Sequence, residues 1–382
     1  MNSRERIIEA LNHREPDRIP IWFGTAATGA VEKVYEEMGE HEDIEFWKQV
    51  TSFFDTFKFD ERMLKRMHSD VRALPLGCAG GKNWYPSKIY PDGTFTNIYN
   101  LRFKKCGYFS SAIVENPLAF ANTVKDIENY EWPDNKAIAS IASEGLEEEA
   151  KYLKNETEYA VLGEPLWSHI ELAQWLRGLD NWLIDTVKRP EMIEALLKKL
   201  FDYAVPIYDT YFKTVGKYLD VVFIGDDLGA QDRPLTRPEI FKELLKPWLK
   251  KRIEYIKERT NNTKVILHSC GSIYQLLPDL VDIGLDGIHP LQPFAKNMEP
   301  ERLKAEFGNK LVFLGGLDHQ HILNQSLDEV IDFVKRLIKV YGPGGGYIFA
   351  PTHDIPPVPI ENIFGAFDYV YENGKYPINT NL

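Results

Sequence analysis

The sequence predicts a (β/α)8 TIM barrel, an α/β fold in which eight parallel strands alternate with helices. A unit recurs along the chain: an apolar, β-branched run, then a polar or glycine- and proline-containing turn, then a helical pattern. This alternation is typical of parallel βα units. Eight strands are predicted, at residues 19–23, 70–76, 159–163, 221–225, 264–267, 287–290, 311–315 and 347–350. Eight strands of this kind favour a closed barrel over an open sheet.

The first predicted element is a helix that precedes the first strand. Residues 2–11 have an amphipathic pattern, and Asn2 or Ser3 is suited to cap it. This N-terminal helical extension differs from a signal peptide, whose centre is an uninterrupted apolar run. No stretch of the sequence has the length of apolar residues that a membrane helix needs.

The second and third strands are separated by far more than a crossover helix. Within this interval, residues 85–109 show alternating strand-like residues around a turn at Pro91-Asp92-Gly93, which predicts an inserted antiparallel hairpin. The insertion covers about residues 77–130, and a helix-rich stretch at 122–153 overlaps its end. The hairpin is suited to a lid or, together with the first helix, to the interface of a homodimer.

Further helices are predicted between the later strands, at residues 240–258, 276–283 and 327–341. The glycine-rich run at 342–346 lacks the Lys-Ser/Thr pair of a phosphate-binding loop and precedes a strand, so it predicts a tight turn. The length alone would allow two or three domains, but barrels of this size are common. No segment has the composition of a flexible linker, so residues 1–382 are expected to form one domain.

The composition limits the partners and the compartment. The net charge of −12 argues against nucleic acid or an anionic membrane, because both require a basic surface. The three cysteines, Cys78, Cys106 and Cys270, are an odd number and too few for a disulfide scaffold. We therefore expect a cytoplasmic protein with reduced thiols.

Side chains that carry chemistry follow six of the predicted strands. Active sites of barrels lie at the C-terminal ends of the strands. The side chains at these ends are Glu164, Asp226, Asp227, His268, Cys270, His289, Gln292, Asp318 and His353. A single acid or histidine at a strand end is usually a cap or a solvated loop residue, but a ring of such residues indicates a site.

The segment His268-Ser269-Cys270 predicts a metal site. In an extended segment the first and third side chains lie on the same side, and zinc binds imidazole nitrogen and thiolate sulfur. His353 would reach the same ion from the eighth strand, with Glu164 or Asp226 as a fourth ligand or as an acid/base. The spacing alone also fits a small buried cysteine beside a histidine that bonds a carbonyl. Asp70, on the second strand, fits a structural ion pair better than a place in the barrel mouth.

Several blocks of sequence together resemble the uroporphyrinogen decarboxylase superfamily. The blocks are residues 4–20, Gly225-Asp226-Asp227-Leu228-Gly229, His268-Ser269-Cys270-Gly271, Gly315-Gly316-Leu317-Asp318, and residues 345–353 and 359–363. The resemblance extends over nearly the whole chain, and it implies a (β/α)8 barrel. In the decarboxylase of haem synthesis an arginine-rich segment after the first strand grips the substrate carboxylates. Residues 22–29 contain no arginine here, which disfavours that activity.

The other branch that the sequence resembles contains zinc-dependent, corrinoid-linked methyltransferases. One group transfers methyl from a methylated corrinoid protein to the thiol of coenzyme M, with a His-x-Cys pair and a later cysteine as zinc ligands. His268 and Cys270 match the pair, whereas His353 stands in the region of the later cysteine. The chain lacks the Asp-x-His-x-x-Gly signature of cobalamin-binding domains. The resemblance therefore implies Zn²⁺ in the chain and a corrinoid (cobalamin) on a partner protein.

The missing thiolate favours a different methyl donor. With fewer thiolates the zinc is a stronger Lewis acid, which suits activation of an ether oxygen. We therefore expect methyl transfer from a small methylated substrate, such as a methoxylated aromatic, to a corrinoid protein. Glu164, Asp226 and Asp227 are the expected catalytic carboxylates. The expected substrate-binding residues are Trp22, Phe23, His289, Gln292 and Asp318, with Trp84 and Tyr85 of the insertion as further aromatic candidates.

Three alternatives to this function stay open. The first is transfer of methyl from methylcobalamin to a thiol. The second is a decarboxylase or lyase that acts on another carboxylic acid through the strand-end carboxylates without a metal. The third is a non-catalytic binding protein that retains the fold.

Overall fold

A computed structural model of the chain describes residues 1–24, 34, 37, 61–76, 88–97, 99–106, 111–165 and 168–379. The strands are β1 (Val71–Pro75), β2 (Phe95–Thr96), β3 (Arg102–Lys105), β4 (Ser111–Glu115), β5 (Ala160–Glu164), β6 (Val221–Gly225), β7 (Lys264–His268), β8 (Gly287–His289), β9 (Val312–Leu317) and β10 (Tyr347–Pro351). The larger sheet has the order β1-β5-β6-β7-β8-β9-β10, and every neighbouring pair is parallel. Its seven strands correspond to seven of the eight that the sequence predicts.

Helices connect these strands, which establishes the α/β class. They are α1 (Ser3–Leu11), α2 (Glu61–Arg66), α3 (Val124–Glu128), α4 (Asn135–Ala142), α5 (Leu146–Asn155), α6 (Ile170–Arg177), α7 (Leu179–Lys188), α8 (Pro190–Val215), α9 (Pro238–Ile240), α10 (Lys246–Arg259), α11 (Leu277–Asp282), α12 (Pro300–Phe307), α13 (Leu327–Tyr341) and α14 (Ile360–Asn373). Among the described residues, none of the helices is both long enough and apolar enough to cross a membrane.

The first predicted strand, residues 19–23, is reduced to one parallel bridge between Ile21 and Phe349 of β10. The Trp22 N–H donates to the Phe349 carbonyl at 2.8 Å, and the Ile21 carbonyl accepts the Asp70 N–H at 2.8 Å. The ladder is short because Pro20 has no N–H and the Ile21 N–H donates to the Asp70 carboxylate. The segment nevertheless joins the two edges of the curled sheet, as the first strand of a TIM-like barrel does.

Helix α1 covers the N-terminal ends of the strands. Asn2 caps it, in a capping box with Glu5. The Arg4 side chain donates to the Tyr159 carbonyl just before β5. Ile7 and Ala10 are buried against the side chains inside the curl of the sheet, including Phe223 and Ile266.

The interval between β1 and β5 contains a three-stranded antiparallel sheet, in the order β2-β3-β4. An antiparallel bridge between Ile89 and Phe95 precedes it, and Phe95 pairs with Phe103. The structure thus has antiparallel strands where the sequence predicts a hairpin. Cys78, Trp84 and Tyr85 lie outside the described residues.

The helix predicted over residues 240–258 has a different beginning. The short helix α9 is followed by a π-helical turn, Phe241–Leu245, before α10 starts at Lys246. Pro247, in the first turn of α10, has no N–H for an α-helical bond to the preceding turn. The proline thus ends the regular α-helix between α9 and α10, whereas the apolar periodicity predicts one continuous helix.

Candidate metal centre

His268, Cys270 and His353 form one cluster at the C-terminal ends of the strands. Each residue offers one ligand atom, and the three atoms lie within 4.8 Å of one another. His268 ends β7, and its Nε2 is 3.3 Å from the Cys270 Sγ. His353 follows β10, with its ring centroid 5.6 Å from that of His268. The structure thus brings the three sequence-predicted ligands together. Two nitrogens and a sulfur are donors that suit zinc.

Behind this cluster, the His268 Nδ1 is 2.7 Å from the Nδ1 of His289. The His289 Nε2 is 3.2 Å from the Pro351 carbonyl oxygen. The exposed fractions of the two residues are only 6% for His268 and 1% for His289. Burial lowers the pKa of both rings well below the usual range of histidine. Both rings are therefore neutral at ordinary pH, as metal-binding imidazoles are.

Two side chains fix the loop that carries the thiol. The Cys270 N–H donates to Asp227 Oδ1 at 2.8 Å, and the Gly271 N–H donates to Gln292 Oε1 at 2.7 Å. Burial is the main cause that raises the pKa of the Cys270 thiol, and the neighbouring carboxylates of Asp227 and Glu171 raise it further. Without a cation the thiol is protonated, whereas a bound metal ion would stabilise the thiolate.

The loops after β6 and β7 pack backbone to backbone beside the cluster. A Cβ on Gly229 would lie 2.6 Å from the Cys270 carbonyl oxygen. Gly271 has a φ of +79°, and a Cβ there would lie 2.6 Å from the Ala230 carbonyl oxygen. Glycine is required at both positions, since only glycine permits this approach and this φ at no cost.

A cavity of about 400 Å³ opens onto the cluster. Its polar lining includes Cys270, His353, Asp354 and three glutamines, Gln231, Gln292 and Gln320. No lysine or arginine lines it among the residues that the structure describes. The described part of the lining is therefore polar and carries no cationic side chain.

Asp226 lies apart from the cavity, although it adjoins Asp227 in the sequence. It is fully buried, and its Oδ1 accepts the His169 and Glu171 N–H groups at the start of α6. Its Oδ2 accepts from the Arg252 guanidinium at 2.8 Å. These partners occupy both oxygens, so the expected catalytic or ligand role does not follow from the geometry. Because side chains alternate along extended backbone, neighbouring aspartates face different surroundings.

Four of the five expected substrate-binding residues also lie outside the cavity lining: His289, which is buried behind the cluster, and Trp22, Phe23 and Asp318. Trp22 packs edge-on against Phe223 inside the sheet, with the ring centroids 5.0 Å apart. Phe23 faces the opposite side and packs against Phe367 of α14. Asp318 is buried and accepts the N–H groups of the turn that follows it, including that of Ile322.

Glu164 ends β5 at the same end of the sheet as the cluster. Burial raises the pKa of its carboxyl from 4.5 to about 7. A carboxyl with this pKa exchanges a proton near neutral pH, as general acids and bases do.

Several residues of the site were missing from the sequence prediction, among them Gln231 and Gln320 of the cavity lining. Asp354 lines the cavity and follows His353 directly. Glu171, at the start of α6, raises the pKa of the Cys270 thiol. His319 lines the cavity with its Nδ1 2.8 Å from Thr352 Oγ1, and burial lowers its pKa to about 4. For His319 a signal was present, since it directly follows Asp318 after the seventh predicted strand.

Comparison with known proteins finds a matching family model and relatives that are methyltransferases or uroporphyrinogen decarboxylases. The family model described as uroporphyrinogen decarboxylase (URO-D) matches residues 114–372. The methylcobamide:CoM methyltransferase MtaA of Methanosarcina barkeri (strain Fusaro / DSM 804) is 26% identical over 195 residues, which are 51% of this chain and 53% of that protein. The chain thus spans about half the length of this curated relative.

Two other relatives align over nearly their whole length. A uroporphyrinogen decarboxylase of Coxiella burnetii (strain Dugway 5J108-111) is 20% identical over 387 residues, with 98% of each chain covered. A solved structure, a methyltransferase from Methanosarcina mazei, has a TM-score of 0.66 and 17% identity, covering 97% of this chain and 99% of that one. The structural likeness shows a shared fold.

Proposed function

This chain belongs to the uroporphyrinogen decarboxylase family, and we propose that it is a zinc-dependent methyltransferase that moves a methyl group from a small methylated substrate to a corrinoid protein. The observation that carries the proposal is the cluster of His268, Cys270 and His353 at the cavity. The similarity to a methylcobamide:CoM methyltransferase supports the corrinoid partner. A methoxylated aromatic is the methyl donor that we propose, as the sequence led us to expect.

The donor set fits a catalytic zinc ion. Three protein ligands that leave one position open are typical of catalytic zinc sites. Cys270 and His268 would bind as thiolate and neutral imidazole. The Nδ1 of His353 accepts the Asp354 N–H at 2.8 Å, so His353 must release this bond or turn its ring to bind. When bound, zinc supplies Lewis acidity that withdraws electrons from an ether oxygen.

Methyl transfer also requires a nucleophile, a proton for the departing oxygen and groups that bind the methyl donor. The corrinoid protein would supply the nucleophile that accepts the methyl group, and the electron pair of the broken carbon–oxygen bond would stay on the oxygen. This oxygen needs a proton, and Glu164, which ends β5 and has a carboxyl pKa of about 7, is the group that we propose to supply it. The amides of Gln231, Gln292 and Gln320 bind the polar groups of the neutral donor.

A second candidate is transfer of methyl from methylcobamide to a thiol, because the 26% identical relative is a methylcobamide:CoM methyltransferase. The lining without lysine or arginine, among the described residues, gives the sulfonate of coenzyme M no cationic partner. Methyl transfer from a neutral ether is therefore the better supported direction.

Metal analysis tests the zinc site. We expect about one zinc per chain after anaerobic, chelator-free purification, and loss of this zinc in Cys270→Ala. Cys106→Ala is the matched control, because Cys106 is a second cysteine that is exposed just after β3, outside the cluster. A wild-type protein without zinc, or a Cys270→Ala variant that keeps it, would overturn the proposal.

A direct assay tests the reaction and its direction. The protein is mixed with a cobalt(I) corrinoid protein and a series of methoxylated aromatics, and absorbance of methyl-cobalt is followed. We expect it to form with the correct ether. If no ether reacts while methyl-cobalt disappears in the presence of a thiol, the second candidate is correct.

A further inference from the structure

Three buried groups lie in a row from β10 to the metal cluster. The Pro351 carbonyl oxygen is 3.2 Å from His289 Nε2, and His289 Nδ1 is 2.7 Å from His268 Nδ1. On the far side of the second ring, His268 Nε2 is 3.3 Å from Cys270 Sγ. Both rings are nearly inaccessible to solvent, so water does not compete for these contacts.

The direction of each hydrogen bond follows from the carbonyl at the end of the row. A carbonyl oxygen only accepts, so the His289 Nε2 carries the proton. In a neutral imidazole the other nitrogen is then an acceptor, so His289 Nδ1 accepts from His268 Nδ1–H. This leaves the lone pair of His268 on Nε2, the atom that faces Cys270. The opposite tautomers would place two lone pairs against each other at Pro351, and a second proton would be a buried charge.

We propose that His289 is a positioning residue that holds His268 in the tautomer whose Nε2 is ready to bind the metal ion. The inference rests on the proposed zinc site. It replaces the substrate-binding role expected for His289, because that residue is 1% exposed. Its ring also packs edge-on against Phe223 and Trp22. Outer hydrogen bonds of this kind fix the orientation of metal-binding histidines and affect metal affinity.

Two substitutions at position 289 separate hydrogen bonding from packing. In His289→Gln, the side-chain amide can donate to Pro351 and accept from His268, so both bonds can be kept. In His289→Leu, an apolar side chain fills the space but removes both bonds. We expect zinc affinity, measured by chelator competition, to fall about 10–100-fold in His289→Leu. In His289→Gln we expect it to stay within a few-fold of the wild type. The visible spectrum of the Co²⁺-substituted protein should change only in His289→Leu.

His169→Leu is the matched control for the loss of a buried histidine. His169 is also buried, and its Nε2 contacts the Leu197 carbonyl of α8 at 2.8 Å, outside the cluster. This variant should lose stability but keep its zinc affinity and Co²⁺ spectrum. Equal affinities and spectra in wild type and His289→Leu would overturn the inference while leaving the zinc site intact.

A measurement on the metal-free protein decides the tautomer without any variant. Long-range ¹H–¹⁵N spectra of histidine side chains distinguish a protonated ring nitrogen from one with a lone pair. We expect His268 to be protonated at Nδ1 and His289 at Nε2. Protonation of His268 at Nε2 would contradict the inference, even in a wild-type protein that binds no zinc.

Discussion

Burial is the main influence on the ionisable side chains of the site. It raises the pKa of Glu164 and of the Cys270 thiol and lowers the pKa of His268. Each of these shifts favours the neutral form of its group. A metal ion would reverse the situation for Cys270, since binding of the thiolate releases a proton.

Glu164→Gln is expected to change the pH dependence of stability. The folded pKa of about 7 lies above the ordinary value of 4.5, so the folded state holds the proton more tightly. The contribution of Glu164 to stability is therefore fully present below about pH 4.5 and is lost as the pH rises through 7. Gln cannot ionise, so the variant should be more stable than wild type at pH 8, by at most roughly 3 kcal/mol.

Urea unfolding at pH 5 and pH 8 measures this difference. The exposed Glu144 provides the control, because Glu144→Gln should give the same change from wild type at both pH values. If the difference between Glu164→Gln and wild type in the free energy of unfolding is also the same at pH 5 and pH 8, then ionisation of Glu164 does not destabilise the fold.

Gln292→Met tests how the thiol loop is held. The Gly271 N–H donates to the Gln292 amide oxygen, and methionine of similar size leaves this buried N–H without its acceptor. We expect a loss of about 1–3 kcal/mol in the free energy of unfolding. Gln320→Met, at an exposed position of the same cavity, should change stability by less than about 0.5 kcal/mol. Equal effects would mean that the Gly271 N–H finds another acceptor.

The sequence contains the chemistry of the site but not the direction in which each side chain points. His268 and Cys270 could be paired from the sequence, because the alternation of extended backbone places them on one side. Asp226 and Asp227 could not be separated in this way, since both follow the same strand. Only the packing of α6 and Arg252 against Asp226 decides between them.

At the scale of the elements, Asp226 connects β6 to two helices. It accepts two backbone N–H groups at the N-terminus of α6, where a negative charge is favourable. It also pairs with Arg252 of α10 at 2.8 Å, with both side chains buried. One carboxylate thus fixes the positions of α6 and α10 relative to the strand that leads into the cavity.

Asp226→Ala should destabilise the fold strongly. Removal of one partner leaves the buried Arg252 guanidinium without its counter-charge, which costs about 3–5 kcal/mol. Denaturant unfolding monitored by circular dichroism measures the loss. In Asp232→Ala, where the ion pair with Arg233 is exposed and 3.8 Å long, the change should stay below about 0.5 kcal/mol. A loss of the same small size in Asp226→Ala would contradict this structural role.

A predicted strand matches the structure where its apolar run also forms a continuous hydrogen-bonded ladder with its neighbours. Val221–Gly225 has the predicted bounds, because its apolar run is buried on both faces. The first strand, residues 19–23, has the same apolar pattern. Its ladder of hydrogen bonds is interrupted by Pro20 and by the Asp70 carboxylate, which accepts the Ile21 N–H. Asp70 is distant in the sequence, so its effect on this strand could not be predicted. The break between α9 and α10 has a local cause, Pro247.

At the scale of the whole molecule, Asp70 holds the two edges of the large sheet together. Its carboxylate is fully buried and accepts from Arg6, Arg18 and the Ile21 N–H. These donors come from α1 and from the segment that lies between β10 and β1. The interpretation of Asp70 as a structural ion pair thus agrees with its position.

Asp70→Asn is expected to weaken the closure of the sheet. The amide can keep some of the hydrogen bonds, but it leaves the buried Arg18 guanidinium without its charge partner and leaves Arg6 with Asp17 alone, which costs about 3–5 kcal/mol. Hydrogen exchange of the β1 and β10 amides should accelerate together with the fall in stability. Asp332→Asn, whose partner Lys335 is on the surface of α13, should have neither effect. Slow exchange at both edges in Asp70→Asn would show that the ion pairs are dispensable.

The distribution of the proposed metal ligands along the chain would have a thermodynamic consequence. Cys270 follows β7 and His353 follows β10, with β8 and β9 between them in the sheet. An ion held by both is a cross-link between distant parts of the chain, and unfolding must break it. The stability of the protein then depends on the free concentration of the ion, rising by RT ln(1 + [L]/Kd). A change in the free zinc concentration would therefore change the free energy of unfolding as well as the fraction of the protein that carries the ion.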